Sequence, residues 1–190
     1  MKQTEKEAKR LIFITGLPRT GKSTVLLRVA EMLRARGYKL GGMTSQEIRE
    51  EGIRVGFEVC DYASGRKGWL AHVRQPEGPR VGKYRVNLHD LDSVGVAAIM
   101  NALRDADIVL IDEIGPMELF SEGFKESVQK AFDGCQTVLG TIHYRTQHSL
   151  VNQVKSRKDS AVIEVTLENR AHLPVKVVNK IIKLRQAKTV

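Results

Sequence analysis

The chain has 190 residues, 42% hydrophobic and 28% charged, with a formal net charge of +9. A chain of that size buries roughly 70% of its unfolded surface and folds without metal or disulfide support, and its composition excludes a disordered tail, a collagen-like fibre and a small disulfide scaffold. No apolar stretch reaches the roughly 18 residues of a membrane span, and Met1 to Arg10 is charged without an apolar signal core, so residues 1–190 are expected to form a single cytoplasmic domain with no membrane partner.

Leu11 to Thr15 (LIFIT) predicts a buried strand, Gly16 to Ser23 a loop, and Lys22 to Arg36 a helix. Val25, Leu26, Val29, Ala30 and Leu33 share one face of that helix, and Gly37 closes it. Ser45 to Glu50 and Ile53 to Asp61 read as strands joined across Glu51-Gly52. Ala63 to Gly68 reads as a second turn and Trp69 to Val73 as a third strand, which together make an antiparallel hairpin or meander. Gln75 to Lys83, with two prolines and two glycines, reads as a loop. Asp92 to Ala106 predicts a helix capped by Asp92 or Ser93, and Asp107 to Ile111 a central strand. Phe120 to Phe132 is amphipathic, Gln136 to Ile142 a strand, His148 to Lys155 a short helix and Ala161 to Thr166 a strand. Pro174 sits near the start of a last helix, where its missing N–H does no harm. Short apolar runs alternating with helical patterns predict an α/β fold. Its central sheet is mostly parallel and flanked by helices, with the antiparallel hairpin inserted near residues 45–73.

The sharpest motif is Gly16-Leu17-Pro18-Arg19-Thr20-Gly21-Lys22-Ser23, which fits G-x-x-x-x-G-K-[ST], the phosphate-binding P-loop. A strand precedes it and a helix follows it, as the mechanism requires. Glycines let the backbone wrap a phosphate with its N–H groups inward, and the helix N-terminus adds its positive end. Lys22 is expected on the β- and γ-phosphates and the Ser23 hydroxyl on Mg²⁺. The second motif is Val109-Leu110-Ile111-Asp112-Glu113, an apolar run ending in two acids. Ligands of open α/β sheets bind at the carboxyl ends of strands. There Asp112 fits the Walker B role on Mg²⁺, and Glu113 is placed to polarise a water that attacks the γ-phosphate. Glu118, five residues further on, fits either a second layer around that water or a solvated loop.

With both motifs placed, the chain resembles the small P-loop nucleoside-triphosphatases, the family that includes the human cancer-related nucleoside triphosphatase. The resemblance rests on Gly16 to Ser23, Ser45-Gln46-Glu47-Ile48-Arg49, Arg54-Val55-Gly56-Phe57 and Ile111-Asp112-Glu113-Ile114-Gly115-Pro116-Met117-Glu118-Leu119-Phe120. Gly140-Thr141-Ile142 and Thr166-Leu167-Glu168-Asn169-Arg170 add to it. It implies Mg²⁺-dependent hydrolysis of nucleoside triphosphates with broad base tolerance. It also implies nucleotide contacts from the P-loop and from Leu110, Ile111, Asp112, Glu113, Ile114, Gly115, Pro116 and Met117. Arg19 stands where the family has a small residue, and Gln46 where an acid is common.

Other features point more weakly. No two of the five histidines are spaced as metal ligands on a helix, and Cys60 and Cys135 lack the close pairing of zinc ligands and read as reduced thiols. Asn179-Lys180 opens like a guanine-reading N-K-x-D code, but Ile182 replaces the acid. Arg49, Arg54, Arg145 and Arg170 flank predicted strand ends, where an arginine can serve a transferring phosphoryl group. Basic runs at Arg66 to Arg85 and Lys176 to Val190 suit a polyanion. The 5% of aromatic residues are not interleaved with them, so nucleic acid is a weaker partner than nucleoside triphosphates. Three functions remain: a nucleoside-triphosphatase, a kinase passing phosphate to a nucleoside, nucleotide or other small molecule, and a nucleotide-switched nucleic-acid binder.

Overall fold

In the computed structural model, which describes residues 9–186, the apolar runs form strands and the amphipathic runs helices in the expected order. The N-terminal elements are β1 (Leu11–Thr15), α1 (Lys22–Arg34), β2 (Leu40–Glu50), β3 (Ile53–Asp61), β4 (Lys67–His72), β5 (Arg80–Val81) and β6 (Tyr84–Val86). A helical stretch follows: α2 (Leu88–Asp90), a π-wound turn over Leu91–Val96, and α3 (Ala97–Asp105). The remainder is β7 (Ile108–Ile114), a 3₁₀ turn over Glu118–Phe120, α4 (Glu122–Asp133), β8 (Thr137–Ile142), α5 (Ser149–Ser156), β9 (Ser160–Glu164) and α6 (Leu173–Gln186). All nine strands lie in one sheet, ordered β5-β6-β4-β3-β2-β7-β8-β1-β9.

Strands β2, β7, β8, β1 and β9 pair in parallel, and β2, β3, β4, β6 and β5 pair antiparallel. The parallel half is covered on both faces. Leu11 and Phe13 pack with Val128, Phe132 and Val154 on one side, while Ile12 and Ile14 pack with Leu26, Val29 and Val177 on the other. The alternation follows from the strand period of two. It builds three layers, with α1 and α6 on one face and α3, α4 and α5 on the other. Parallel strands buried on both faces read as continuous apolar runs, which is why LIFIT and IVLI are so plain in the sequence.

Several expectations need correction. Strand β2 begins at Leu40 rather than Ser45, so one strand serves both halves of the sheet. Gly41 and Gly42 hide it, because glycine is poor in strands. Gly42 has φ of 120° and a Cβ there would lie 2.2 Å from the Leu110 carbonyl oxygen, so only glycine allows β2 to reach β7. The antiparallel insertion runs on to Val86, since Tyr84–Val86 pairs with β4 and Arg80–Val81 lies inside the expected loop. The helix expected at Asp92 starts at Leu88. Its cap is Asn87, whose side chain accepts from the Asp90 N–H at 3.1 Å. Asp92 instead accepts a hydrogen bond from Ser121, the residue that caps α4; Phe120 lies ahead of that helix, exposed. Asn179 and Lys180 sit inside α6, and Lys188 of the basic run lies outside the described residues. Neither cysteine forms a disulfide; Cys60 is buried and Cys135 exposed.

Candidate active site

The P-loop leaves β1 and enters α1 at the carboxyl edge of the parallel strands. Gly16 is clamped, because a Cβ there would stand 2.5 Å from the Val165 carbonyl oxygen behind β9. Gly21 caps α1 in the left-handed region, with φ of 102°. Between them Thr20 closes a turn, its N–H and its hydroxyl both donating to the Leu17 carbonyl at 3.3 and 2.8 Å. Leu17, Pro18 and Arg19 form the exposed outer rim. Arg19 has φ of 66°, a conformation in which glycine or asparagine is the usual occupant, so a small residue is the easier choice there. The Lys22 ammonium folds back over the loop, 3.4 Å from the Gly16 carbonyl and 3.9 Å from Glu113 Oε1.

Strand β7 delivers the carboxylates to the same place. Asp112 is fully buried; its Oδ1 accepts from Ser23 at 3.2 Å and from Thr141 at 2.6 Å. Its Oδ2 is buried without a hydrogen-bond partner, as is Oε1 of Glu113. Burial raises the Asp112 carboxyl, against the opposing pull of the Thr141 and Ser23 hydroxyls and the Lys22 charge. Burial also raises Glu113, to about 7, with Lys22 opposing and Asp112 reinforcing. Glu118 is 5% exposed, which removes the solvated-loop reading. Burial, then the charge of Glu113, lifts it to about 8. The two glutamates meet at Gly115, where a Cβ would lie 3.1 Å from Glu118 Oε2 and 3.3 Å from Glu113 Cγ.

Two further loops frame the cradle. His143, which follows β8, bonds its N–H to the Ile114 carbonyl at 3.1 Å. Burial, then the Lys22 and Arg145 charges, lower its pKa. On the far side, the loop after β9 brings Arg170 Cδ within 3.9 Å of where a Gly21 Cβ would stand. Arg49 and Arg54 are instead tied to Glu47 on the hairpin.

A family model described as NTPase matches residues 11–178. The chain belongs to the NTPase family. Among similar curated proteins, the nucleoside-triphosphatase THEP1 of Thermofilum pendens is 46% identical over 93% of this chain and 98% of its own length. The protein of the same name from Methanosarcina acetivorans is 44% identical over 90% and 97%. The crystal structure of THEP1 from the hyperthermophile Aquifex aeolicus aligns with a TM-score of 0.79 at 29% identity, covering 90% of this chain and 98% of that one. The solution structure of a human cancer-related nucleoside triphosphatase aligns at 0.76 and 35% identity, covering 90% and 96%. The protein is thus an enzyme of the nucleoside-triphosphatase family.

Within this NTPase, the structure sorts the expected site residues. Lys22, Ser23, Asp112 and Glu113 converge from two strands. Leu110, Ile111 and Ile114 are completely buried in the core layers, so their side chains support β7 rather than face the cradle. Gly115 spaces the two glutamates, Pro116 is exposed, and Met117 packs against Ala71, Tyr84 and Val86 of the antiparallel region. Pattern reading had not assigned three contributors: Thr141, His143 and Ser45. The backbone N–H of Ser45 adds to the pull on Asp112. Each stands at the end or middle of a strand beside β7, a neighbourhood that only the strand order reveals.

Proposed function

We propose that this NTPase hydrolyses nucleoside triphosphates to the diphosphate and phosphate in a Mg²⁺-dependent reaction with relaxed choice of base. The observation that carries this reading is a pair of buried carboxylate oxygens without hydrogen bonds, Asp112 Oδ2 and Glu113 Oε1, the second 3.9 Å from the Lys22 ammonium, beside Ser23 at the P-loop. Buried polar atoms are nearly always satisfied, so both oxygens await something the cradle takes up. A hard oxygen donor set of one hydroxyl and one carboxylate fits Mg²⁺, which binds through a few protein ligands plus phosphates and waters. Ser23 and Asp112 would hold it. Bound between them, the ion would supply positive charge that offsets the charge of the triphosphate.

The chain's own residues do the rest. Backbone N–H groups at the start of α1, Gly21 to Ser23, cradle the β-phosphate, and Lys22 places a point charge on the β- and γ-oxygens. Glu113 orients a water and takes its proton as the water oxygen bonds to the γ-phosphorus. The bond from that phosphorus to the β–γ bridging oxygen breaks, and its electrons leave on the diphosphate. Water rather than a substrate hydroxyl as acceptor is supported by the names of the relatives, all nucleoside-triphosphatases. No helix among the described residues is long and apolar enough to cross a membrane.

The test separates metal from base. In single turnover at saturating Mg²⁺, Glu113→Gln should bind triphosphate within a few fold of wild type and lose about 10²–10⁴ in rate. Asp112→Asn should instead raise the Mg²⁺ concentration needed. If Glu113→Gln keeps more than about half the rate, Glu113 is not the base and Glu118 is the next candidate. Rates on four nucleoside triphosphates, with and without chelator, check metal and base choice; more than about a hundredfold preference would mean that polar groups read the base.

A further inference from the structure

Resting on that reading, we propose that Arg19, carried by the P-loop itself, is a catalytic cation: its guanidinium contacts the γ-phosphoryl group and the β–γ bridging oxygen as the bond between them breaks.

The backbone singles this residue out. Leu17 to Thr20 is a tight turn in which the Leu17 carbonyl accepts the Thr20 N–H at 3.3 Å, Pro18 stands second and Arg19 third, with φ of 66°. Proline second and a positive φ third is the pattern of a type II turn, whose third residue is ordinarily glycine or asparagine. Among the described residues Glu51 is the one other non-glycine with a positive φ, and it lies in the turn between β2 and β3, where the paired strands demand it. A residue with a Cβ is strained in that conformation, and strain of this kind clusters at functional sites. What arginine adds there over glycine is a long stem and a fixed charge.

That charge is unpaired. Arg19 is exposed, and its guanidinium carries no hydrogen bond, ion pair or ring contact among the described residues. It can turn over the cradle without breaking a bond. The other arginines near the edge are placed differently. Arg49 and Arg54 are held by Glu47 on the hairpin. Arg170 stands beside Gly21 on the β9 side, whereas Glu113 comes from β7 on the other side of the P-loop. Arg145 lies on a separate loop after β8, with its backbone N–H on His143 Nδ1 at 3.4 Å.

The site is short of positive charge. Asp112, Glu113 and Glu118 gather there, and among the described residues Lys22 alone forms an ion pair with any of them. The Lys22 ammonium lies between the Gly16 carbonyl and Glu113 Oε1, so the γ-phosphate is received between the first half of the loop and Glu113. Arg19 belongs to that half. As the water oxygen bonds to the γ-phosphorus, negative charge grows on the bridging oxygen that leaves with the diphosphate. A guanidinium can meet that oxygen and a γ-oxygen with two parallel N–H groups, a fork that an ammonium lacks. Arg19 keeps its protons throughout, and the proton of the water goes to Glu113. Its contact strengthens as the charge develops, which is the kind of interaction that raises the rate rather than the affinity.

The experiment compares Arg19→Gly, Arg19→Lys and Arg145→Ala with wild type at saturating Mg²⁺. It measures single-turnover phosphate release from ATP, calorimetric affinity for ADP and for ADP with aluminium fluoride (a mimic of the phosphoryl group in transfer), and the ligand-free melting temperature. Arg19→Gly should lose about 10²–10³ in rate and a similar factor in affinity for the fluoride complex, while binding ADP within about twofold of wild type. Its melting temperature should fall by no more than about 3 °C, because glycine fits the turn. Arg19→Lys should regain about tenfold of the lost rate and stay below wild type, since it restores the charge without the fork. Arg145→Ala should lose less than Arg19→Gly. A wild-type rate in Arg19→Gly would overturn the proposal. So would an equal loss of ADP affinity, which would make Arg19 a general phosphate grip, or a larger fall in melting temperature, which would make it structural. A greater loss of rate in Arg145→Ala would move the role to the β8 loop. If wild type itself releases no phosphate from ATP, the hydrolase reading fails and the proposal with it; every other adverse result overturns Arg19 alone.

Discussion

The two halves of the sheet handle the same problem, covering a strand, in opposite ways. In the parallel half, β1, β7 and β8 are buried on both faces, and at their carboxyl ends Lys22, Ser23, Asp112, Glu113 and Thr141 gather. In the antiparallel half, the outer reaches of β2 to β4 are half exposed. Surface pairs tie it together: Glu47 with Arg54, Glu58 with Lys67, and Glu50 with Arg74. Aromatic contacts add to these, Phe57 edge-on to Tyr84 at 5.3 Å and Trp69 stacked on His72 at 4.2 Å. Exposed pairs of this kind are worth about 0–1 kcal/mol each. The basic run at Arg66 to Arg85 is thus partly neutralised by acids from neighbouring strands. The comparison teaches that chemistry sits where burial is deepest, because there burial lifts the carboxyls of Asp112, Glu113 and Glu118 toward neutrality.

That contrast can be tested by breaking each half in turn. Lys22→Ala should cost about 10³-fold in turnover and weaken triphosphate binding, with the ligand-free melting temperature unchanged. Wild-type affinity by calorimetry would sink the P-loop assignment. Gly16→Ala should damage the fold as well, since its Cβ meets a backbone oxygen at 2.5 Å; a loss of about 2 kcal/mol, or roughly 6 °C in melting temperature, is expected beside lost turnover. Glu118→Gln probes the buried acid without ligand. Its folded pKa of about 8 lies above its unfolded value near 4.3, so wild-type stability is highest below the unfolded value and is lost as pH rises through the folded one. The amide removes that loss. The melting temperature of Glu118→Gln relative to wild type should therefore climb by roughly 10 °C between pH 5 and pH 9, and a flat difference would mean that Glu118 ionises freely. The smallest effect belongs to the antiparallel half. A double-mutant cycle between Glu47 and Arg54 should give a coupling of about 0.2–1 kcal/mol, and Arg54→Ala should leave turnover within about twofold. A larger loss of turnover would bring the hairpin into the active site.

Much of this molecule was legible along the chain. The P-loop, the buried strands LIFIT and IVLI, the amphipathic helices and the Glu51-Gly52 turn follow from the periods of apolar residues and from backbone preferences of near neighbours. The turn has φ of 50° and 79° at its two residues, as a tight hairpin requires. The pairing of Lys22 and Ser23 with Asp112 and Glu113 could be anticipated only because both motifs end at the carboxyl edge of strands in any open α/β sheet. Tertiary structure decided what depends on which strands are neighbours. It set Thr141 on Asp112, Glu118 against Glu113, and Asn87 rather than Asp92 at the helix start. It made Leu40 to Glu50 one strand through two glycines that local preference reads as a break. The reason is range: a period or a turn is written within a few residues, whereas Ser23 and Asp112 are 89 residues apart and meet only because β8 lies between β7 and β1.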